Sequence, residues 1–487
     1  MNNSSLILLL KNFDKQQLKE FNSFVKSPYF NTNKALVSLS EYIRKQHPEF
    51  NEDKLEKKYV YKKIFGKTQF NDGFFRVLMS NLQNLAEEYL SLKGYQKETL
   101  LKKKLLLDQL MGFNDSKKLA EKILKEGLKE ADSIKPDGPD DYLGKYHMAF
   151  YRKYLYSTSF SASKDKMPSE HLYDEQKYLT YYFLLRMLAD HFYHLNQSQI
   201  INYTPRLIFV DEIITFLDKN PEYLEFPTLN MTYLRVLLLK NNNIEDLYKL
   251  KNAFYRSHKE LGHKDCFNII SIIINFCHKN YFLTEDEKFL EEKLEILLFG
   301  LDNGITSFDE DDYFDNNRYN NLFSTYIEFD RIDEAEKFIN EYGPKLDPEE
   351  QNFWVHYSMA ELLSKRGKID DALDHLSKIR NVKTVSYKLN LRSLQLRLYY
   401  DAGLIEQAIS AADSFRHFIQ KESLMNPIYN EQYRNFYLFY TKLLGLNTGK
   451  SAKAANELKE SLTPIKNVIH KKCILINKSI SFPANSS

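Results

Sequence analysis

Four residues between positions 263 and 278 are of the types that bind zinc. They are His263, Cys266, Cys277 and His278. If Cys266 and Cys277 share one helix, a rise of about 1.5 Å per residue places them about 16 Å apart. One zinc ion holds its sulfur ligands at about 2.3 Å. The residues therefore do not converge on a single ion, and we expect no metal site here.

Two other clusters contain metal-ligating groups. His191 and His194 follow Asp190 at a spacing that places both rings on one helix face. Their aromatic neighbours are more typical of packing histidines. The acidic run 309–312, followed by Asp315, could attract Ca²⁺, but it lacks the central glycine and the ligand spacing of an EF-hand loop. We interpret it as a solvated acidic loop.

Familiar catalytic and phosphate-binding motifs are absent from the sequence. Neither G-x-G-x-x-G nor G-x-x-x-x-G-K-[ST] occurs, and there is no H-E-x-x-H and no G-x-S-x-G. We therefore expect a non-catalytic protein that needs no cofactor. An enzyme whose site no motif reveals is the weakest of the alternatives.

Basic clusters with aromatic neighbours could bind nucleic acid, since lysine contacts phosphate and aromatic rings stack on bases. The clusters are Lys57, Lys58, Lys62 and Lys63 beside Tyr59 and Tyr61, then Lys102 to Lys104, and Arg152 with Lys153 between Tyr151 and Tyr154. Most such clusters are solvated faces whose long stems cover apolar surface. A nucleic-acid-associated regulator that uses the basic N-terminal part is thus the alternative to a protein-binding function.

Charge is distributed unevenly along the chain. Residues 1–135 contain 25 Lys and Arg against 17 Asp and Glu, residues 281–350 contain 6 against 21, and residues 381–487 contain 15 against 7. A basic–acidic–basic pattern of this kind steers charged partners without identifying one.

Length and composition favour a helical protein. With 15 glycines and 13 prolines in 487 residues, long helices are favoured over a β-rich fold with many tight turns. One core stops growing at about 250–300 residues, so this chain needs several domains or a solenoid. No apolar run reaches the roughly 18 residues of a membrane helix. Three cysteines at irregular spacing suit a reducing compartment, and we expect a cytoplasmic protein.

Helical patterns begin at Asp14, which forms a capping-box pattern with Gln17. Four amphipathic stretches up to residue 95 predict a small N-terminal bundle. Paired amphipathic runs then predict helical hairpins as far as residue 300, including a helix with Pro205 at its first position. The acidic segment 301–318 separates them from the most regular part of the chain.

That regular part repeats a short core three times. The cores are Ile332-Asp333-Glu334-Ala335, Ile369-Asp370-Asp371-Ala372 and Ile405-Glu406-Gln407-Ala408, with alanines 37 and 36 residues apart. Each core follows an amphipathic run and a polar turn, so the unit is a helix–turn–helix. The segment Ile244-Glu245-Asp246-Leu247 repeats the pattern with leucine in place of alanine, which indicates that the repeat starts earlier.

Residues 319–419 resemble tetratricopeptide repeats, a family of helix–turn–helix units of about 34 residues with a small residue where the two helices cross. Ala335, Ala372 and Ala408 match the crossing position of the second helix, and Gly367 and Gly403 match the turn. The units depart from the family in being two or three residues longer. The small residue of the first helix is Ala360 in one unit but Phe323 and Leu396 in the others.

The resemblance implies an all-α fold: an antiparallel helical-hairpin, TPR-like, right-handed solenoid after the N-terminal bundle. The expected divisions are a bundle at 1–95, a divergent solenoid at 96–300, an acidic loop at 301–318, TPR-like repeats with a C-terminal capping hairpin at 319–465, and a frayed tail at 466–487.

In this family the first helices of the units line the surface that holds a partner peptide or helix. Transferred to this sequence, the positions are Asn317, Asn320, Ser324, Trp354, Tyr357, Glu361, Asn390, Ser393, Arg397 and Tyr400. Packing against a neighbouring helix is the alternative for each of them. We therefore expect an interaction scaffold with an unknown protein partner.

Overall fold

The computed structural model describes residues 1, 3–159, 171–200, 203–310, 312–380, 382, 384–421, 427–448, 452–465 and 467–471. The described residues form α-helices joined by short connections, with no strand beyond one isolated bridge between Phe314 and Leu346. The all-α prediction is confirmed. The chain divides into two compact units, Met1–Phe183 and Leu184–Ser487, and the division falls within one helix.

The helices of the first unit are α1 (Ser5–Lys11), α2 (Lys15–Lys26), α3 (Lys34–Arg44), α4 (Lys57–Phe65), α5 (Asp72–Lys97), α6 (Thr99–Met111), α7 (Lys117–Ser133) and α8 (Pro139–Ser159). The serine-rich sequence at 157–168 predicts an exposed loop. Its first three residues are the end of α8, and 160–168 lie outside the described residues. The second unit takes over within α9 (Asp174–Ile200).

The remaining helices are α10 (Val210–Lys219), α11 (Pro227–Asn241), α12 (Ile244–Ser257), α13 (His263–Thr284), α14 (Lys288–Asp302), α15 (Asn316–Glu328), α16 (Ile332–Tyr342), α17 (Pro348–Lys365), α18 (Ile369–Ser377), α19 (Val385–Asp401), α20 (Ile405–Lys421), α21 (Pro427–Thr448) and α22 (Ala452–Leu462).

The N-terminal bundle contains five helices, one more than the sequence predicted. The capping box is present: the Asp14 carboxylate accepts the Gln17 backbone N–H at 2.7 Å, and the Gln17 side chain accepts the Asp14 N–H at 2.9 Å. The additional helix is α1, whose Leu6, Ile7 and Leu10 are buried in the bundle core. Seven residues are too few for a helix that stands alone in water, so burial of this apolar face stabilises α1.

In the second unit, each helix from α11 onward packs against the next one in the chain. The first helices of successive hairpins also touch, since α15 contacts α17 and α17 contacts α19. The predicted start of a helix at Pro205 is wrong, because α10 begins at Val210 after Phe209 adopts a positive φ of 60°.

The repeat is visible in the backbone as well as in the sequence. A residue with positive φ stands two positions before the isoleucine that begins α12, α16, α18 and α20. These residues are Asn242 (φ 50°), Asp330 (φ 57°), Gly367 (φ 74°) and Gly403 (φ 71°). Since the left-handed conformation reverses the chain after a helix, the four hairpins share one turn geometry. The earlier unit at α11–α12 thus has the same register as the three regular ones.

The crossing residues of the repeats are fully buried. Ala335, Ala372 and Ala408 are each 0% exposed, as is Ala360 on the first helix of the middle unit. Phe323 and Leu396, which replace the small residue in the other two units, are also buried. The larger side chains are therefore packed between helices and not displaced to the surface.

The acidic segment between α14 and α15 is attached to neighbouring helices by Arg318. Its guanidinium donates to the carbonyl oxygens of Ile305 and Phe267 at 3.1 Å each and to Ser271 Oγ at 3.0 Å. The Phe314 N–H donates to the Lys345 carbonyl at 2.9 Å. Both ends of the segment are thus fixed by hydrogen bonds.

Candidate partner-binding face

The ten residues transferred from the family pattern lie on α15, α17 and α19, the first helices of the three regular hairpins. Only Asn317 is exposed, while Asn320, Ser324 and Asn390 are partly buried. The other six are buried: Trp354, Tyr357, Glu361, Ser393, Arg397 and Tyr400. The four accessible residues can contact a partner directly, and the buried six act first as packing residues. We call the side of α15, α17 and α19 that bears these residues the first-helix face.

A buried ion pair connects two of these helices. Glu361 on α17 accepts a hydrogen bond from Arg397 Nη2 on α19 and another, at 3.1 Å, from the Tyr357 hydroxyl. The two charged side chains are 9% and 10% exposed. Burial alone would raise the pKa of the Glu361 carboxyl, but the Arg397 guanidinium, together with His470 and the Tyr357 hydroxyl, outweighs burial and lowers that pKa. The pair stays ionised and fixes the spacing of α17 and α19.

Trp354 is a core residue and not an exposed contact. Its indole is 1% exposed and lies edge-on to Phe353, Tyr357 and Tyr387, with ring centroids 5.0, 6.0 and 4.8 Å away. A partner on this face reaches the indole only through its neighbours. Trp354 nevertheless remains a sensitive reporter because it is the single tryptophan of the chain.

Polar side chains extend the first-helix face onto α21. The Tyr433 hydroxyl donates to Asn390 Oδ1 at 2.9 Å, and the Ser393 hydroxyl donates to the Asn390 carbonyl at 2.9 Å. The Tyr440 hydroxyl donates to the Leu396 carbonyl at 2.6 Å. These bonds tie α21 to α19.

Residues 467–471 contact α19, α21 and the end of α13. Asn435 Nδ2 donates to the Asn467 carbonyl at 2.9 Å, and Val468 is 3% exposed within the core of the last hairpins. His470 Nε2 lies 3.4 Å from Ser393 Oγ. We call this stretch the C-terminal segment.

The sequence predicts a frayed tail at 466–487, whereas in the structure Val468 lies in the core cluster of the last hairpins and Ile469 packs against that cluster. The adjacent apolar residues Val468 and Ile469 are the sequence signal for this packing, because exposing two apolar side chains to water is unfavourable. The rest of the predicted tail, 472–487, lies outside the described residues.

The basic clusters of the first unit are largely engaged within the protein. Lys57 pairs with Asp72 at 3.2 Å, and Lys103 pairs with Glu130 at 3.0 Å. Tyr61 is buried and cannot stack on a base. Other members are paired as well, namely Lys104 with Asp108, Arg152 with Asp174, and Lys153 with Glu175. Less free positive charge is left than the sequence suggested.

The cysteine and histidine residues around α13 have structural partners. His263 Nε2 lies 2.9 Å from the Ser307 carbonyl, and Cys266 Sγ contacts the His258 carbonyl at 3.3 Å. Burial raises the pKa of Cys266 to about 11 and that of Cys277 to about 12, so both thiols are protonated at neutral pH. Among the described residues, no group of three or more His, Cys, Asp or Glu side chains is placed to hold a metal ion. Cys473 lies outside them.

Pockets of moderate size lie in both units of the described part of the chain. One of about 250 Å³ in the first unit is lined by Lys145, Arg152 and Tyr178, among others. One of about 510 Å³ in the second unit is bordered by His356, whose Nδ1 lies 3.1 Å from Nδ1 of His375. Burial lowers the pKa of both imidazoles, so they face each other uncharged at neutral pH.

Comparison with known proteins gives no relative: no protein-family model, no curated protein and no solved structure matches this chain. No helix of the described residues is both long and apolar enough to cross a membrane.

Proposed function

We propose that this chain is a non-catalytic protein–protein interaction scaffold of TPR-like hairpins, which binds a partner peptide or helix on the first-helix face. The observation that carries the proposal is the C-terminal segment. A short stretch of polypeptide is held beside this face through a side-chain amide, a buried aliphatic residue and a polar pair. Repeat proteins hold peptides with contacts of the same kinds.

Charge supports a basic or neutral partner. Residues 281–350 carry a large excess of Asp and Glu, and they include α15, which contributes accessible Asn317 and Asn320. An acidic surface raises the association rate of basic segments and repels acidic ones. The same charge disfavours a polyanion on this face.

Site-specific photocrosslinking in the source cell tests the proposal. A photoreactive amino acid at exposed Asn317 on α15 is expected to crosslink one protein partner reproducibly. The matched control is exposed Ser410 on α20, a second helix, from which no crosslink to that partner is expected. Equal crosslinking from both positions contradicts the proposed face.

Binding to DNA or RNA measured over a range of salt concentrations distinguishes the nucleic-acid-associated regulator from the scaffold. Binding through lysine–phosphate contacts weakens steeply with ionic strength. We expect the purified chain to show no retention on DNA or RNA even at low salt. Retention that is lost when Lys58 and Lys62 are changed to glutamate would favour the regulator over the scaffold.

A further inference from the structure

The C-terminal segment is attached through three kinds of contact in five residues. At its start, Asn467 is held through both its backbone and its side chain: its backbone carbonyl accepts from Asn435 Nδ2 at 2.9 Å, and its side-chain Nδ2 donates to Glu431 Oε2 at 2.9 Å. Both partners are on α21. The position of the segment along α21 is therefore set by directional hydrogen bonds.

The middle of the segment supplies apolar anchors. Val468 is 3% exposed and belongs to the core cluster of the last hairpins, and Ile469 packs against the same cluster. The cluster also contains Phe436, whose ring lies edge-on to the His470 imidazole with centroids 5.8 Å apart. This is an apolar pocket for one aliphatic side chain, with an aromatic wall for a flat one.

The last residue of the segment, Lys471, forms an ion pair with an acidic residue. Lys471 Nζ donates to Glu285 Oε1 at 2.6 Å, a contact between residues 186 positions apart in the chain. Glu285 is the C-cap residue that directly follows α13, and it belongs to the strongly acidic stretch of the sequence. Charge complementarity thus orients the segment from α21 toward α13.

The segment also contacts one of the predicted partner-binding residues, Ser393. His470 lies 3.4 Å from Ser393, and the Ser393 hydroxyl in turn donates to the carbonyl of Asn390. Both residues were assigned to partner binding from the repeat pattern. A peptide that used Ser393 would have to displace His470.

We infer that residues 467–471 are an internal ligand of the first-helix face and that the external partner competes with them for it. The inference rests on the proposed function and specifies the partner's chemistry. The partner presents an aliphatic side chain in the pocket of Val468, a flat side chain two residues later against Phe436, and a basic residue next to it for Glu285. While the segment is docked, the face is closed to this partner.

A labelled peptide in trans tests the inference on the full-length chain. The probe is a fluorescent peptide of residues 464–472, with a scrambled peptide of the same composition as control. Binding of the probe is measured to two versions of the full-length chain. One is unmodified, and the other carries Val468→Asp, which removes the apolar anchor of its own C-terminal segment. A face that is free in one molecule in ten binds about tenfold more weakly than a free one.

We expect the Val468→Asp chain to bind the probe at least about tenfold more tightly than the unmodified chain. Adding Asn435→Ala to that chain is expected to weaken binding again, and the scrambled peptide is expected not to bind. Equal affinity of the two chains, or no binding by either, overturns the inference. Helix content and Trp354 emission establish whether the variant is folded, and Lys471→Glu is the replacement if it is not.

Failure of the internal-ligand inference can be distinguished from failure of the proposed scaffold function. If the partner crosslinks to Asn317 equally well in the unmodified and Val468→Asp chains, the scaffold stands and the internal ligand is excluded. If the peptide binds only the Val468→Asp chain but no partner crosslinks to Asn317, the binding site of the C-terminal segment exists and the proposed function fails.

Discussion

Arg397 and Glu361 are 36 residues apart in the sequence, yet their side chains form an ion pair shielded from water between α17 and α19. The separation equals one repeat, so equivalent regions of adjacent units carry the two charges. The guanidinium and the carboxylate are held face to face by helices that pack as neighbours. This pair connects two of the three helices that bear the first-helix face.

Truncating one member of the pair should destabilise the second unit strongly. Glu361→Ala leaves the Arg397 charge in a buried site, which typically costs about 3–5 kcal/mol. Replacing both residues with apolar ones of similar size, Glu361→Leu with Arg397→Met, is expected to cost much less. Urea unfolding followed by Trp354 emission measures both, and an equal loss from single and double replacement would refute the role of the pair.

The repeat register predicts where an enlarged side chain is not tolerated. Ala408 on α20 is 0% exposed at the helix crossing, so Ala408→Leu should destabilise by about 1–3 kcal/mol or more through overpacking. Ser410 on the same helix is exposed, and Ser410→Leu is expected to change stability by less than about 0.5 kcal/mol. Similar effects of the two changes would show that Ala408 is not a crossing residue.

Because the hairpins share one turn geometry, substitutions at two equivalent positions should change the stability in opposite directions. Gly367 has a φ of 74°, so Gly367→Ala should cost about 1 kcal/mol. Asp330 occupies the same place with a φ of 57°, and Asp330→Gly should be stabilising by a smaller amount, because Asp tolerates this conformation better than most residues. Thermal unfolding by circular dichroism compares the two, and the same sign for both would contradict a common turn.

The sequence predicted the helices, the hairpin register and the buried alanines because these follow from periodicity and from side-chain size at a fixed spacing. It did not predict that Glu361 and Arg397 pair, because their contact depends on how two helices are rotated about their axes. It missed α1 and the packing of Val468 because both are short segments stabilised only by tertiary burial. The partner-binding role of the ten residues stays a prediction.

Docking of the C-terminal segment should weaken in mild acid. Burial, together with the Arg397 charge, lowers the pKa of His470 to about 3, whereas a released histidine has its ordinary value of 6.5. The released state therefore binds the proton first, so docking is fully stable above about pH 6.5 and is lost as pH falls from there toward 3. At a pH one unit below 6.5 the released fraction should rise roughly tenfold.

Nuclear magnetic resonance of labelled histidines checks this prediction. The charged groups that act on His470 are Arg397, Glu361 and Lys365. The resonance that disappears in His470→Asn should titrate far below the others and should move toward an ordinary value in Val468→Asp. A His470 that titrates near 6.5 in the unmodified chain would show that the segment is not docked.

The central claim is that the partner binds the first-helix face. Backbone hydrogen exchange of the purified chain, measured with and without the partner that crosslinking identifies, tests it most directly. If the first-helix face is the binding surface, partner addition slows exchange in α15, α17 and α19 and leaves α18 and α20 unchanged, while residues 467–471 exchange faster as they are displaced. Slowed exchange confined to α2–α5 or to the second helices, with the first helices unaffected, would contradict the account.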